Sequence, residues 1–486
     1  MKTKKILCFF MALMILLLLS CGKSNEDDSS GNPDNIAGES NDDTAEPTEN
    51  PLYLDDLPEI DYKGEIFRMF TWEFEAANTD LVIEEQTGDI VNDAIYLSNR
   101  AVQDRFNIEF EQISVSDWWN AQNYVKNSVR AEDNAYDIAM LVDRQAITMA
   151  MEGRYFYTMA ELPHVNLDKL YWDQALKKEM SIDNILYFTY SASMLSAYDN
   201  VCFLVYNKQI VMELGLENIY ELVGNGKWTI DKMYEMAAAG VKDLDGDGKM
   251  TKADRWGVLI SPDYYYPGFW CAERIPLIGK DKDDIPFFNV PGNEKLFRIF
   301  DKLHGYSTGE IEFNDGLLGP MFAEGLGLFA NATLFTVQRL RNMEVDYGIV
   351  PYPSLDEKKP GEAYSARMCV AYPLIVPVTA SAERASVILE ALACEYQKRV
   401  ISGYYEVAVQ TKSTRDDESI EILDMLMSNR FVDHGDTFWM DDARSQYLPC
   451  FANKANTFQS VTDKIESRVA RTLEKAVEAF QNAAEQ

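Results

Sequence analysis

Between Gly64 and Val142 the sequence changes its hydrophobic period four times, and that alternation restricts the fold more than any other feature of the chain. Gly64-Glu65-Ile66-Phe67-Arg68-Met69-Phe70-Thr71-Trp72 alternates and is rich in β-formers, which predicts a first strand. From Asp89 the apolar residues Ile90, Ala94, Leu97, Ala101 and Val102 fall on one helical face, and Asn107 to Ile113 reads as a second strand. Asp117 to Arg130 is expected to be helical, and Tyr136 to Val142 to form a third, more fully buried strand. Strand, helix, strand, helix, strand predicts parallel pairing through right-handed crossovers, an α/β architecture. Ligands of such sheets bind outside the carboxyl ends of the strands, which nominates Trp72, Asp143 and Arg144.

The pattern continues less regularly. Ile185 to Tyr190 and Val201 to Tyr206 look like strands on either side of Ser196-Ala197-Tyr198-Asp199-Asn200. Gly226-Lys227-Trp228-Thr229 then leads into a helix with Ile230, Met233, Tyr234, Ala237, Ala238 and Val241 in helical period and Thr229 as its N-cap. Glu294 to Leu303, Leu334 to Asn342, Ala382 to Ser402 and Val461 to Phe480 are further helices, and Tyr347 to Val350 and Cys369 to Val376 short strands. A body of more than 400 residues from about Pro58 onward divides into at least two lobes.

Ahead of that body, Met1 to Cys21 has a basic head, an apolar run from Ile6 to Leu19, and then Ser20 and Cys21. This is the make-up of an export signal, with a core too short to span a membrane comfortably. Residues 22 to 57 follow with eleven acidic side chains, one lysine and little to bury, so they are expected to be a disordered linker. As a coil such a linker reaches roughly 30–36 Å. A formal charge of −34 without a basic cluster argues against nucleic acid as a partner. Five cysteines remain after the linker, Cys202, Cys271, Cys369, Cys394 and Cys450, scattered and odd in number, which fits small buried residues better than disulfides or zinc. His164, His304 and His434 are too far apart to form a local ligand motif.

The most specific motif runs from Asp243 to Asp254, which fits a twelve-residue EF-hand calcium loop. Asp243, Asp245 and Asp247 stand at positions 1, 3 and 5, Gly248 at the sharp turn, Lys249 where a carbonyl is used, Thr251 at position 9 and Asp254 at position 12. Such spacing gives a hard cation several oxygens from one turn of chain, so Ca2+ is expected as a structural clip. The departure is Asp254 in place of the usual glutamate, a shorter arm.

Several segments, taken in their order, resemble the family 1 extracellular solute-binding proteins of ABC importers, which include the maltose-binding type. They are Ala197 to Ile210, Gly226 to Ala237, Asp243 to Gly257 and Val345 to Pro353, after a leader in which Leu18-Leu19-Ser20-Cys21 resembles a bacterial lipobox. The resemblance covers roughly Lys63 to the C-terminus. It implies a two-lobed periplasmic-binding-protein-like fold with a ligand cleft between lobes joined by several crossover strands. It further implies a first lobe of residues 58–186 and 321–366, a second of 187–320 and 367–486, and closure of the two about a hinge. Cys21, the last residue of the 1–21 leader segment, would be lipidated, for instance with palmitate, and become residue one of the mature chain once the residues before it are removed. That would anchor a monomeric receptor on the extracytoplasmic face of the cell membrane, near the permease subunits of its importer.

Sugar-binding members stack pyranose rings on aromatic faces and bond hydroxyls to charged groups, so aromatics beside charges are the expected ligand residues. On that basis the candidates are Trp72 with Glu73, Trp118 with Trp119, Asp143 with Arg144, Tyr198 with Asp199, Tyr264 and its neighbours with Trp270, Arg367, and Trp439. Trp270 is favoured by a Pro-Gly-flanked loop. The resemblance implies a carbohydrate, an oligosaccharide, as solute and no catalysis. Two alternatives stay open: an exported carbohydrate-active enzyme working through two of the 79 acidic residues, and a binding protein for peptides or another solute.

Overall fold

The computed structural model describes residues 50–484 apart from 75–78, 308, 338–339, 341–342, 344–345, 410–416 and 453–456. The export signal, Cys21 and most of the acidic linker lie outside the described residues.

In chain order, β1 (Glu65–Trp72), the helix Ile90–Phe106, β2 (Ile108–Val115), the helix Ala121–Ala131, β3 (Ile138–Met140) and the helix Asp143–Glu152 follow the predicted alternation. The local causes are visible. Asp89 caps its helix by accepting from the Val91 and Asn92 N–H groups, and Asn107 ends it in the left-handed region at φ 48°. The chain continues through β4 (Cys202–Asn207), β5 (Trp256–Ile260), β6 (Ile278–Lys280), β7 (Pro286–Phe288), β8 (Glu312–Asn314), β9 (Gly327–Thr333), β10 (Tyr347–Val350), β11 (Ala366–Arg367), β12 (Leu374–Ile375) and β13 (Arg430–Phe431). As expected, the Thr229 hydroxyl caps the helix Ile230–Gly240, accepting from Lys232 N–H at 3.3 Å.

Two sheets organise the body. The first has the order β12-β3-β1-β2, with β1 parallel to both β2 and β3 and β12 antiparallel to β3. The second has the order β10-β4-β9-β5-β8. Its central strands β4 and β9 are buried along their whole length, as strands covered on both faces should be. Each large apolar side chain fully removed from water there contributes about 1.5–3 kcal/mol. The long helix Ala382–Val409 packs on Ile90–Phe106 of the first lobe, so the chain crosses between sheets after β3, between β10 and β12, and again beyond that helix.

Three expectations require correction. The division at residues 321–366 fails, because β9 and β10 lie in that range and pair with β4 in the second sheet, whereas β12, assigned to the second lobe, completes the first. The cause is pairing: β4 is flanked on both sides by antiparallel partners that its sequence does not name. Residues 185–190 form no strand, only the isolated bridges Ile182 with Ile185 and Trp172 with Ser191 nearby. Finally, the linker ends earlier than residue 57. Pro51–Tyr53 is a 3-10 turn strapped to the body, with Lys169 Nζ donating to Leu54 O at 2.7 Å and Arg105 forking onto Asp55 at 2.8 and 2.9 Å. Leu52, Tyr53, Leu54 and Leu57 give this end of the linker the apolar surface that the rest lacks.

Candidate functional site

The carboxyl ends of both sheets open onto one cavity of about 270 Å³. From the first lobe, Trp72 ends β1, Trp118 and Trp119 follow β2, and Asp143 and Arg144 follow β3. From the second, Asp263 and Tyr264 begin the helix Pro262–Ala272 directly after β5. The crossing segments supply the floor: Arg367 on β11, Tyr372 before β12, and Asp436, Met440 and Arg444 after β13. The cavity thus lies beyond the carboxyl ends of β1, β2 and β3 in the first sheet and of β5 in the second, the position at which α/β sheets take their ligands.

One wall is aromatic. Trp72 is enclosed, with Tyr372 edge-on at 4.8 Å and Trp118 at 5.9 Å between ring centres. Trp118 stacks on Trp119 at 3.8 Å, and Phe74 adds a further ring at 5.2 Å from Trp118. Trp119 is 60% exposed, so the rings run from the enclosed end of the cavity to the surface.

The charged groups of the lining are locked in place. Both Asp436 oxygens accept from Arg367, Oδ1 from Nη2 at 2.8 Å and Oδ2 from Nε, and Oδ1 also accepts from Arg444 Nη1 at 3.0 Å. Arg367 Nη1 donates to Tyr264 O at 3.2 Å, which ties the floor to the second lobe. Asp143 accepts from Arg144 N–H at 2.7 Å and Ala371 N–H at 3.2 Å. Burial outweighs those two donors and pushes its carboxyl up to about 7. Arg144 lies over the Trp119 ring at 5.2 Å and reaches Met440 Sδ at 3.7 Å across the cavity.

Of the twelve residues named as expected ligands, seven line this cavity: Trp72, Trp118, Trp119, Asp143, Arg144, Tyr264 and Arg367. The other five do not. Glu73 is exposed beside Trp72. Asp199 is buried and accepts from the Tyr404 hydroxyl, and Tyr198 lies under the Arg430 guanidinium at 4.7 Å. Trp270 is not on a loop: Pro267 and Gly268 sit inside the helix Pro262–Ala272, and its indole donates to Asp433 Oδ2 at 3.0 Å with no exposed surface. Gly268 is required there because a Cβ would stand 2.4 Å from the Tyr352 ring. Trp439 packs against His434 and Phe438. Asp263, Tyr372, Asp436 and Arg444 also line the cavity and were not singled out from the sequence; of the run Asp433-His434-Gly435-Asp436-Thr437-Phe438-Trp439, Asp436 lines it and Trp439 does not.

The expectation that the chain holds no Gly-x-Ser-x-Gly elbow needs correcting at the level of sequence, because Gly305-Tyr306-Ser307-Thr308-Gly309 matches that pattern. Ser307 ends the helix Glu294–Ser307 and donates to Phe451 O at 2.7 Å, so it lacks the strand-to-helix setting that such a nucleophile needs.

In the loop after Gly240, carboxylate oxygens of Asp243, Asp245 and Asp247 lie within 4.8 Å of one another. Asp243 also accepts from Gly246 and Gly248 N–H, which folds the loop around it. Asp254 is turned inward, accepting from Leu244 N–H at 2.9 Å and Thr251 N–H at 2.7 Å, and those donors hold its carboxyl below the usual range. Three of the expected ligands therefore converge, while Asp254 closes the loop onto its own backbone.

Comparison with protein-family models and with curated proteins gave no match. Comparison with solved structures did. The sugar-binding protein MalE of Xanthomonas citri is similar at TM-score 0.61 and 13% identity, over 86% of this chain and 99% of that one. An ABC substrate-binding protein of Listeria monocytogenes in complex with cycloalternan is similar at 0.54 and 10%, over 85% and 99%. A cyclic α-maltosyl-1,6-maltose binding protein of Arthrobacter globiformis is similar at 0.52 and 14%, over 87% and 99%. This chain has their fold: two α/β lobes joined by several crossings, with a cleft between them.

Proposed function

We propose that this protein is an extracytoplasmic receptor that binds a carbohydrate, an oligosaccharide, in the cleft and presents it to an ABC importer by closure of the two lobes. One observation carries the reading: four rings, Trp72, Trp118, Trp119 and Tyr372, line one cavity together with Arg144, Arg367, Asp436 and Arg444. Flat rings match the apolar face of a pyranose, and guanidinium and carboxylate groups match its rim of hydroxyls. The sugar-binding names of the similar structures point the same way.

Holding suits this cavity better than catalysis. Asp436 has both oxygens on guanidinium groups, so it is not free to serve as base or nucleophile beside a second carboxyl, as a two-carboxylate hydrolase requires. Cys21 supplies the lipid anchor that keeps the receptor near its permease, and Cys21→Ser should release it from membranes with ligand binding intact. Calcium at Asp243, Asp245 and Asp247 would tie down the loop between the helix Ile230–Gly240 and β5.

A thermal-shift screen over oligosaccharides, monosaccharides and peptides tests the reading. A solute at 100 times its dissociation constant should stabilise by about 2.7 kcal/mol. A shift with a peptide and with no carbohydrate would refute it.

A further inference from the structure

The buried part of the cavity is short of acceptors. Its two buried carboxylates are already answered, Asp436 by two arginines and Asp143 by two backbone N–H groups, while Asp263 is 61% exposed and stands 3.5 Å from Arg444. Its donors are not all answered. Trp72 Nε1 and Arg444 Nε are both buried and have no hydrogen-bond partner, although Trp72 and Arg444 both line the cavity. Arg144 has no carboxylate partner among the described residues, only the Trp119 face and the weak thioether acceptor of Met440. In a chain with 79 acidic and 45 basic residues carboxylates are plentiful, and the other two arginines of the cavity each have one. The first backbone N–H groups of the helix Asp143–Glu152 are also spent, on Gln145 Oε1, Ala371 O and Asp143 Oδ1, so they offer nothing to a ligand.

A neutral sugar brings a donor with every hydroxyl acceptor, and each such donor needs an acceptor in turn. A carboxylate or sulfate brings acceptors alone. A guanidinium laid flat on an indole keeps its N–H edge free for a planar, two-point contact with such a group. We infer that the oligosaccharide bound here is acidic, carrying a carboxylate that meets Arg144 beside Trp119. This rests on the reading of the cleft as a carbohydrate site and narrows it to a ligand class.

The test is calorimetric titration of the full chain with matched pairs: oligogalacturonate, alginate and hyaluronan oligosaccharides, each as free acid and as carboxyl methyl ester, with maltotetraose and xylotetraose as neutral probes. Esterification removes the charge and keeps the ring stereochemistry. At least one free acid should bind on the order of tenfold or more tighter than its ester, the scale of a charge-assisted contact. Arg144→Gln should abolish that preference while its ligand-free melting point stays near wild type, and Arg144→Lys should restore part of it. An ester that binds as well as its acid, or binding of the neutral probes alone, overturns the inference and leaves the carbohydrate reading standing. Binding of no carbohydrate overturns both.

Discussion

Replacing Asp436 by asparagine removes the carboxylate that holds two guanidinium groups at the floor of the cleft. Arg367 and Asp436 have 1% and 0% of their side-chain surface exposed, so their pairing is not weakened by solvent screening. Breaking a buried pair from one side costs about 3–5 kcal/mol, because the remaining charge stays buried without compensation. For a body of about 430 residues the unfolding entropy is about 0.9 kcal/mol per kelvin, so the midpoint should fall by about 3–6 °C. Scanning fluorimetry and urea titration of wild type, Asp436→Asn, Arg367→Met and the double variant measure this. The double variant should lose clearly less than the two single losses together, by about 1 kcal/mol or more, since it no longer strands Arg367. A single-variant loss below about 1 kcal/mol, or strict additivity, would refute the claim that the floor is held by this network.

Trp119→Ala should weaken ligand binding about twofold to tenfold through the lost ring contact while moving stability by no more than about 0.5 kcal/mol, because Trp119 is 60% exposed; equal affinity with a lowered melting point would reverse its assignment. Stability should rise as pH falls from 7 toward 5. Burial raises Asp143, Glu312 and Asp433 to about 7 and Glu390 to about 6, so in that window the folded chain keeps protons that the unfolded chain has released, each worth about 1.4 kcal/mol per pH unit. His434, pushed down to about 3 by burial, opposes this with one proton, and a melting point that falls steadily from pH 7 to 5 would contradict the balance. Excess chelator should lower the melting point and added Ca2+ restore it, with Asp245→Asn insensitive to both; a melting point unmoved by chelator, with no calcium found by mass spectrometry, removes the ion from the account.

What could be read from the sequence follows the range of the forces involved. β1, β2 and the helix between them were legible because hydrophobic period acts within a few residues, and Thr229 caps its helix where its position predicts for the same reason. Trp72, Asp143 and Arg144 were legible because they end predicted strands. Lobe membership was not, since β9 and β12 are placed by pairing with β4 and β3 across more than a hundred residues of chain. Trp270 misled for a related reason: Pro-Gly reads locally as a turn, but packing against Tyr352 and a buried bond to Asp433 keep it helical. Asp436 and Arg444 became site residues only through Arg367, a partner 69 residues from Asp436.

The central claim is that the cleft holds a carbohydrate, and intrinsic fluorescence tests it most directly, because Trp72, Trp118 and Trp119, three of the eight tryptophans, line the cavity. Titration with neutral and acidic oligosaccharides should give a saturable change in emission for at least one of them, with the sugar recovered intact afterwards. A saturable change with peptides alone, or steady hydrolysis of the added oligosaccharide, would contradict the account.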